Sequence, residues 1–309
     1  MAGSRFGPRP PWARYSGAVP RILDLDRDAL AELRGRALHD AVVAAEGRTL
    51  VSEVIAGAQS LANGVHNMEI AAAVGADILI LNFIETVQGD DGWTFPDLGP
   101  VADLRTLARR VGRPIGVNLE PGDVPGPRRA TTATARRLID DGAAMLCLTA
   151  NPGTETGYAE LARVTADLRD ALGPDAAIWS GKMHQAGRVD AIDGAALVRL
   201  VEAGADGVLL PLPGTVPGVT REIATAACVA VHEAGALVMG TIGTSQEGAR
   251  PSIAPALALI AKEVGVDAHH IGDAGLGRTG DPDLLYEYSI AIRGRRHTWR
   301  RMALGNRRP

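Results

Sequence analysis

The chain has 309 residues, 46% of them hydrophobic and 22% charged, and a formal net charge of -4. That is enough apolar material for a large buried core and excludes a disordered chain, while the lack of a positive field argues against nucleic acid as a partner. Two cysteines, Cys147 and Cys228, supply neither a disulfide framework nor metal-ligand spacing, which fits a cytoplasmic protein.

In chain order, residues 1–20 are rich in Pro, Gly and Arg with no apolar stretch, and read as a flexible tail ahead of one domain over 21–309. No apolar run reaches about 18 residues, so no membrane span is expected. A helix is predicted over 27–45. Short apolar runs then alternate with segments of helical period. The runs place strands at 49–54, 77–82, 114–119, 144–149, 177–181, 207–211, 237–241 and 268–271. Helices fall between them at 65–74, 99–111, 127–142, 156–172, 190–204, 218–235 and 250–265, with a last one at 283–293. Eight units joined by turns such as Gly75-Ala-Asp77 and Gly204-Ala-Asp206 predict an α/β fold, a single (β/α)8 TIM barrel whose floor is capped by the helix over 27–45. An open doubly wound sheet is the rival. Eight unbroken units favour closure, and Val54-Ile-Ala-Gly-Ala-Gln-Ser60 after the first strand is not a dinucleotide fingerprint.

In such a barrel, chemistry gathers where strands end. Lys182 and Lys262 are the two lysines beside thirty arginines, so a lysine ending an apolar run marks a need for its amine. Unlike Arg it can lose its proton and act as nucleophile or base, forming a Schiff base, or it can hold an anion as a point charge. Period two places Lys182 and His184 on one face, as it does Asn118 with Glu120 and Thr149 with Asn151. His184 is suited to shuttle a proton, and Glu53 or Glu120 to act as a second acid/base. Asn82, Asn118, Thr149, Asn151, His270 and Asp273 are the substrate-binding candidates. The glycine-rich loops after the last two strands read as a phosphate cradle of Thr241, Gly243, Thr244, Ser245, Gly272 and Gly275, with Arg278 as a clamp. Cys147 reads as a small hydrophobe, and His39 and His232 as ordinary helix residues; His66 is open to either reading. The basic stretch 293–301 reads as a helix end and subunit contact of a homo-oligomer.

Several motifs carry a resemblance: Gly47-Arg-Thr-Leu-Val-Ser-Glu-Val-Ile55, Asn118-Leu-Glu-Pro121, Asn151-Pro-Gly-Thr154, Gly181-Lys-Met-His184, Pro213-Gly-Thr-Val-Pro-Gly-Val-Thr220, Ile242-Gly-Thr-Ser-Gln-Glu-Gly248, His270-Ile-Gly-Asp-Ala-Gly275 and Ile292-Arg-Gly-Arg-Arg-His-Thr298. With them the chain resembles a bacterial TIM-barrel family often labelled phosphoenolpyruvate phosphonomutase-like. The resemblance implies the barrel. A phosphonomutase site would gather carboxylates around Mg2+, for which Glu53, Glu85, Glu120 and Asp273 stand on scattered strands. The loops Phe83–Trp93 and Thr154–Tyr158 are less typical and point to a substrate of the chain's own. The leading expectation is a lyase or isomerase acting on a small, anionic, phosphorylated or carboxylated metabolite, with no cofactor read from a motif. The alternatives are a Mg2+-dependent phosphonomutase-like enzyme and a non-catalytic metabolite-binding barrel.

Overall fold

The computed structural model describes residues 19–89, 92–150, 156–184, 192–243, 246–273 and 277–305. The N-terminal stretch 1–18, and with it most of the expected tail, lies outside them. The strands in chain order are β1 (Thr49–Ile55), β2 (Ile78–Asn82), the short β3 (Gln88–Gly89), β4 (Gly92–Phe95) and β5 (Gly99–Val101), then β6 (Ile115–Leu119), β7 (Met145–Thr149), β8 (Ile178–Gly181), β9 (Gly207–Pro211), β10 (Leu237–Ile242) and β11 (Ala268–Ile271). Strands β1, β2 and β6 to β11 pair in parallel around a closed ring, while β3, β4 and β5 form a small antiparallel sheet. The predicted (β/α)8 barrel is therefore present.

Period-two alternation divides each barrel strand between two apolar cores. Val51, Ile78, Ile80, Met145, Cys147, Trp179, Leu209 and Met239 belong to the inner core. Leu50, Leu79, Leu81, Leu146, Leu148, Ile178, Val208 and Val238 pack outward with the helices. Trp179 fills the interior beside Gly207, where an added Cβ would lie 2.5 Å from its Cδ2. The floor is closed by α1 (Arg27–Ala31) and α2 (Gly35–Val43), whose Leu30, Leu38, Ala41 and Val42 join the inner core. The predicted single helix breaks at Gly35, which takes a φ of 50°. Its N–H donates to Ala144 O at 3.0 Å, and a Cβ there would meet Asp175 O at 2.2 Å.

The two Gly-Ala-Asp turns and the related Gly265-Val-Asp267 have a repeated purpose. Asp77, Asp206 and Asp267 each precede a strand, and each carboxylate accepts the backbone N–H of the preceding strand: Leu50 at 2.9 Å, Ile178 at 2.8 Å and Val238 at 2.8 Å. Their own N–H groups donate back to Leu50, Ile178 and Val238 carbonyls, each at 2.8 Å. One side chain thus pins neighbouring strands at the barrel floor.

The outer helices are α3 (Asn67–Ala73), α4 (Leu104–Val111), α5 (Thr132–Asp141), α6 (Tyr158–Leu172), α7 (Gly194–Glu202), α8 (Arg221–Glu233), α9 (Ala254–Val264) and α10 (Pro282–Gly305). The segment 99–111 is not one helix as predicted. Its first three residues form β5, and α4 starts only after Asp103, whose Oδ1 accepts the Thr106 N–H at 2.6 Å. Pro100, lacking an N–H, suits that short edge strand. The first part of α10 ends at 293 as predicted, because Gly294 takes a non-helical φ of 75° and ψ of 162°, and a second helical stretch follows to Gly305. The basic stretch 293–301 is partly turned inward. Buried Arg293 and Arg301 reach Asp77 at 2.5 and 2.7 Å, and Arg300 bonds Leu23 O at 3.0 Å. Internal partners thus account for three cations that the sequence assigned to a subunit contact, whereas Trp299 stays 53% exposed.

Candidate active site

Five consecutive barrel strands end in polar side chains that touch one another. Thr149 Oγ1 on β7 donates to Asn118 Oδ1 on β6 at 3.1 Å, and Asn118 Nδ2 donates to Asn82 Oδ1 on β2 at 3.3 Å. Asn82 Nδ2 donates to Glu53 Oε1 on β1 at 2.8 Å, and Glu53 Oε2 lies 3.5 Å from His270 Nε2 on β11. All five are buried. Four share the strand phase of the inner-core residue two positions before them, and Asn118 that of Gly116, where an added Cβ would meet Met145 and Ile80, so the belt lies directly above the apolar barrel interior. Buried amides and hydroxyls in that place are satisfied by each other, which fixes their rotamers.

Glu53 is the focus of the belt. The segment after β11 folds back over it: Ile55 N–H donates to Arg278 O at 2.8 Å, Thr279 Oγ1 to Glu53 O at 3.2 Å, and Gly280 N–H to Glu53 O at 3.2 Å. These bonds hold the Glu53 backbone, while burial of its carboxyl pushes the pKa up to about 7; the Asn82 hydrogen bond opposes the rise, and the nearby charges of Asp273, Glu247 and Glu120 add to it. Burial lowers His270 to about 3, so a neutral imidazole faces Glu53 and their contact is not an ion pair. Neither ring nitrogen of His270 has a hydrogen-bond partner among the described residues. Cys147, deep below, has its thiol pKa pushed up by burial and then by Glu53, as expected of a core residue.

Lys182 stands elsewhere. Trp179 and Met183 belong to the inner core, whereas Ser180 Oγ bonds Thr165 Oγ1 of α6 at 2.9 Å. Lys182 lies past the last paired residue of β8, and its Nζ lies 5.3 Å from the Tyr158 ring at the start of α6. The amine is buried, against an aromatic face that favours a cation. Desolvation first, and the Lys182 charge second, hold the His184 pKa below its ordinary value.

Of the expected phosphate cradle, Thr244, Ser245 and Gly275 lie outside the described residues, as does Asn151. Thr241 Oγ1 donates to Met183 O at 3.0 Å, and Gly272 N–H donates to Ile242 O at 2.9 Å. An added Cβ on Gly272 would lie 3.4 Å from Gly243 Cα and 3.5 Å from Glu247 Cγ. The two loops do adjoin, but they bring Glu247 between them, and Asp273 follows directly. Arg278 is half-buried, with its carbonyl on Ile55.

The described residues are not arranged for Mg2+. Glu85 and Glu120 lie 3.5 and 3.7 Å from Arg128, and Glu53 engages Asn82. Among the described residues no three His, Cys, Asp or Glu side chains are arranged to hold a metal. Arg128, Glu247 and Thr279 are the residues that sequence reasoning missed. Glu247 lay inside a motif already quoted, while Arg128 sits in a Pro- and Arg-rich loop without periodicity. His66 resolves as a helix cap, its Nδ1 accepting the Met68 N–H at 3.1 Å. His232 bonds Asp267 at 2.9 Å on the surface.

Solved structures similar to this chain include three enzymes. A 2,3-dimethylmalate lyase, described as a PEP mutase/isocitrate lyase superfamily member, shares 18% identity over 78% of this chain and 81% of its own, with a TM-score of 0.48. An archaeal fructose 1,6-bisphosphate aldolase shares 17% over 80% and 93%, with a TM-score of 0.46. Thiamine phosphate pyrophosphorylase from Pyrococcus furiosus shares 13% over 80% and 96%, with a TM-score of 0.45. No curated protein matches the sequence. No helix among the described residues is long and apolar enough to cross a membrane. Residues 23–308 match the family described as Domain of unknown function (DUF7916), and the chain belongs to that family.

Proposed function

We propose that the protein is a small-molecule enzyme of lyase or isomerase type, in which Glu53 moves a proton to or from a carbon beside a carbonyl group. One observation carries the proposal: a buried carboxyl pushed to about 7, held by Asn82 at 2.8 Å and faced by a neutral His270 at 3.5 Å, at the catalytic end of a closed barrel. A carboxyl poised there is half ionised near neutrality and serves as base in one step and acid in the next. Asn82, Asn118 and Thr149 orient the oxygens of the substrate, and Glu120 is the second acid/base. Lys182, with its Nζ 5.3 Å from the Tyr158 ring, acts as a fixed positive charge that stabilises the developing enolate oxygen rather than as a Schiff base. His184, held neutral, passes the proton to solvent.

Glu247 and Asp273 beside Gly272 make a phosphate dianion unfavourable there, so the substrate is taken as a carboxylated rather than a phosphorylated metabolite. Self-association through exposed Trp299 completes the proposal; light scattering giving a single chain of 32.2 kDa at micromolar concentration rejects that part. The test of the reaction needs no prior substrate. A panel of 2-oxo and 2-hydroxy acids is incubated with the protein in D2O and read by proton NMR. The expected result is deuterium at the carbon beside the carbonyl of at least one compound, abolished in Glu53→Gln. Exchange that survives Glu53→Gln unchanged rejects the assignment, and trapping of a secondary amine by borohydride at Lys182 replaces the electrostatic role by a Schiff base.

A further inference from the structure

We infer that Arg128 recognises a carboxylate of the substrate and that Glu85 occupies its place until the substrate arrives. The inference rests on the carboxylated-substrate reading above. Backbone bonds set Arg128 at the rim: Glu120 N–H donates to Arg128 O at 2.8 Å and Ala130 N–H to Glu120 O at 2.9 Å, so the loop is tied to the end of β6. Its guanidinium carbon lies 4.8 Å from the centre of the Phe83 ring. Phe83 directly follows Asn82 of the polar belt and holds a left-handed φ of 53°, an uncommon conformation for a bulky side chain. The strain sits where a ring face is needed under the guanidinium.

Two carboxylates flank the cation, Glu85 at 3.5 Å from Nη1 and Glu120 at 3.7 Å from Nε. Both distances exceed a hydrogen bond. The buried Arg128 Nε and the buried Glu85 Oε2 have no hydrogen-bond partner among the described residues. A stacked guanidinium with an unused edge is matched by a planar acceptor with two oxygens, which a carboxylate provides and water does not. A phosphate dianion would bring a second negative charge against Glu85 and Glu120, so the monoanionic carboxylate is the better fit. Glu120 is 3% exposed and fixed, whereas the Glu85 side chain is 29% exposed and free to swing into water. The incoming carboxylate therefore displaces Glu85.

Isothermal titration of the whole chain with malonate and with inorganic phosphate tests this. Wild type is expected to bind malonate in preference to phosphate. Arg128→Gln is expected to lose roughly tenfold or more, Arg128→Lys to fall between the two, and Glu85→Gln to bind more tightly than wild type. No malonate binding by wild type, a folded Arg128→Gln or Arg128→Lys that binds as well as wild type, or a Glu85→Gln that binds less well overturns the inference. Glu53→Gln separates this from the catalytic proposal: it is expected to lose proton exchange while retaining malonate affinity.

Discussion

Replacing Glu53 by Gln removes an ionisation that folding opposes, and its effect on stability has a definite sign. The carboxyl stands at about 7 in the folded protein against an ordinary value of 4.5. Below 4.5 it is protonated in both states, and its full contribution to stability is present. As the pH rises towards 7 the unfolded chain ionises first, and the folded state loses stability until its own carboxyl ionises. At 1.36 kcal/mol per pKa unit the loss amounts to about 3 kcal/mol, an upper value because relaxation and water around the ionised group reduce it. Glu53→Gln keeps an uncharged side chain of the same size and escapes this loss. Its melting temperature relative to wild type should therefore rise between pH 4.5 and 7 and level off above, by roughly 5 °C in a chain of this length. Thermal melts of both proteins in matched buffers from pH 4.5 to 8.5 supply the comparison. A difference independent of pH, or one that falls as pH rises, refutes the reasoning. A stabilised but inactive variant would place Glu53 among groups kept for chemistry at the expense of stability.

Asp77→Ala leaves Arg293 and Arg301 buried without their carboxylate and frees the Leu50 N–H, so urea unfolding should register a loss of about 3–5 kcal/mol. Gly207→Ala drives a methyl to 2.5 Å from Trp179 Cδ2 and should cost about 1–3 kcal/mol, visible in near-UV circular dichroism of the displaced indole. Lys182→Arg keeps the charge over Tyr158, so proton exchange should persist at a reduced rate; complete loss, with Lys182→Ala no worse, favours a nucleophilic amine.

The barrel was legible because its signal is repeated. Alternation in Thr49–Ile55 or Gly207–Pro211 fixes which side chains face inward, and the Gly-Ala-Asp turns announce where strands begin. The same alternation placed Glu53, Asn82, Asn118, Thr149 and His270 at strand ends, and these five do meet. It says less about Lys182, which lies past the last paired residue of β8 and has its amine 5.3 Å from the Tyr158 ring, since strand phase dictates nothing once the ladder ends. Residues that depend on loop closure were invisible for a related reason. Thr279 bonds the Glu53 carbonyl from far along the chain, and Arg128 reaches Glu85 and Glu120 across two loops. Such contacts are set by tertiary approach, which local spacing does not encode. The basic stretch 293–301 was misread in part because composition cannot distinguish an Arg facing solvent from one folded onto a buried Asp77.

The central claim is that burial and neighbouring charge poise the Glu53 carboxyl near neutrality. Carbon-13 NMR of protein labelled at the Glu side-chain carboxyl, titrated from pH 4 to 9 and compared with Glu53→Gln to assign the resonance, reads that value directly. One resonance absent from Glu53→Gln should titrate with a midpoint near 7. A midpoint near 4.5 for that resonance would contradict the account, because a carboxyl already ionised at neutral pH would have neither the acid nor the base strength assigned to it.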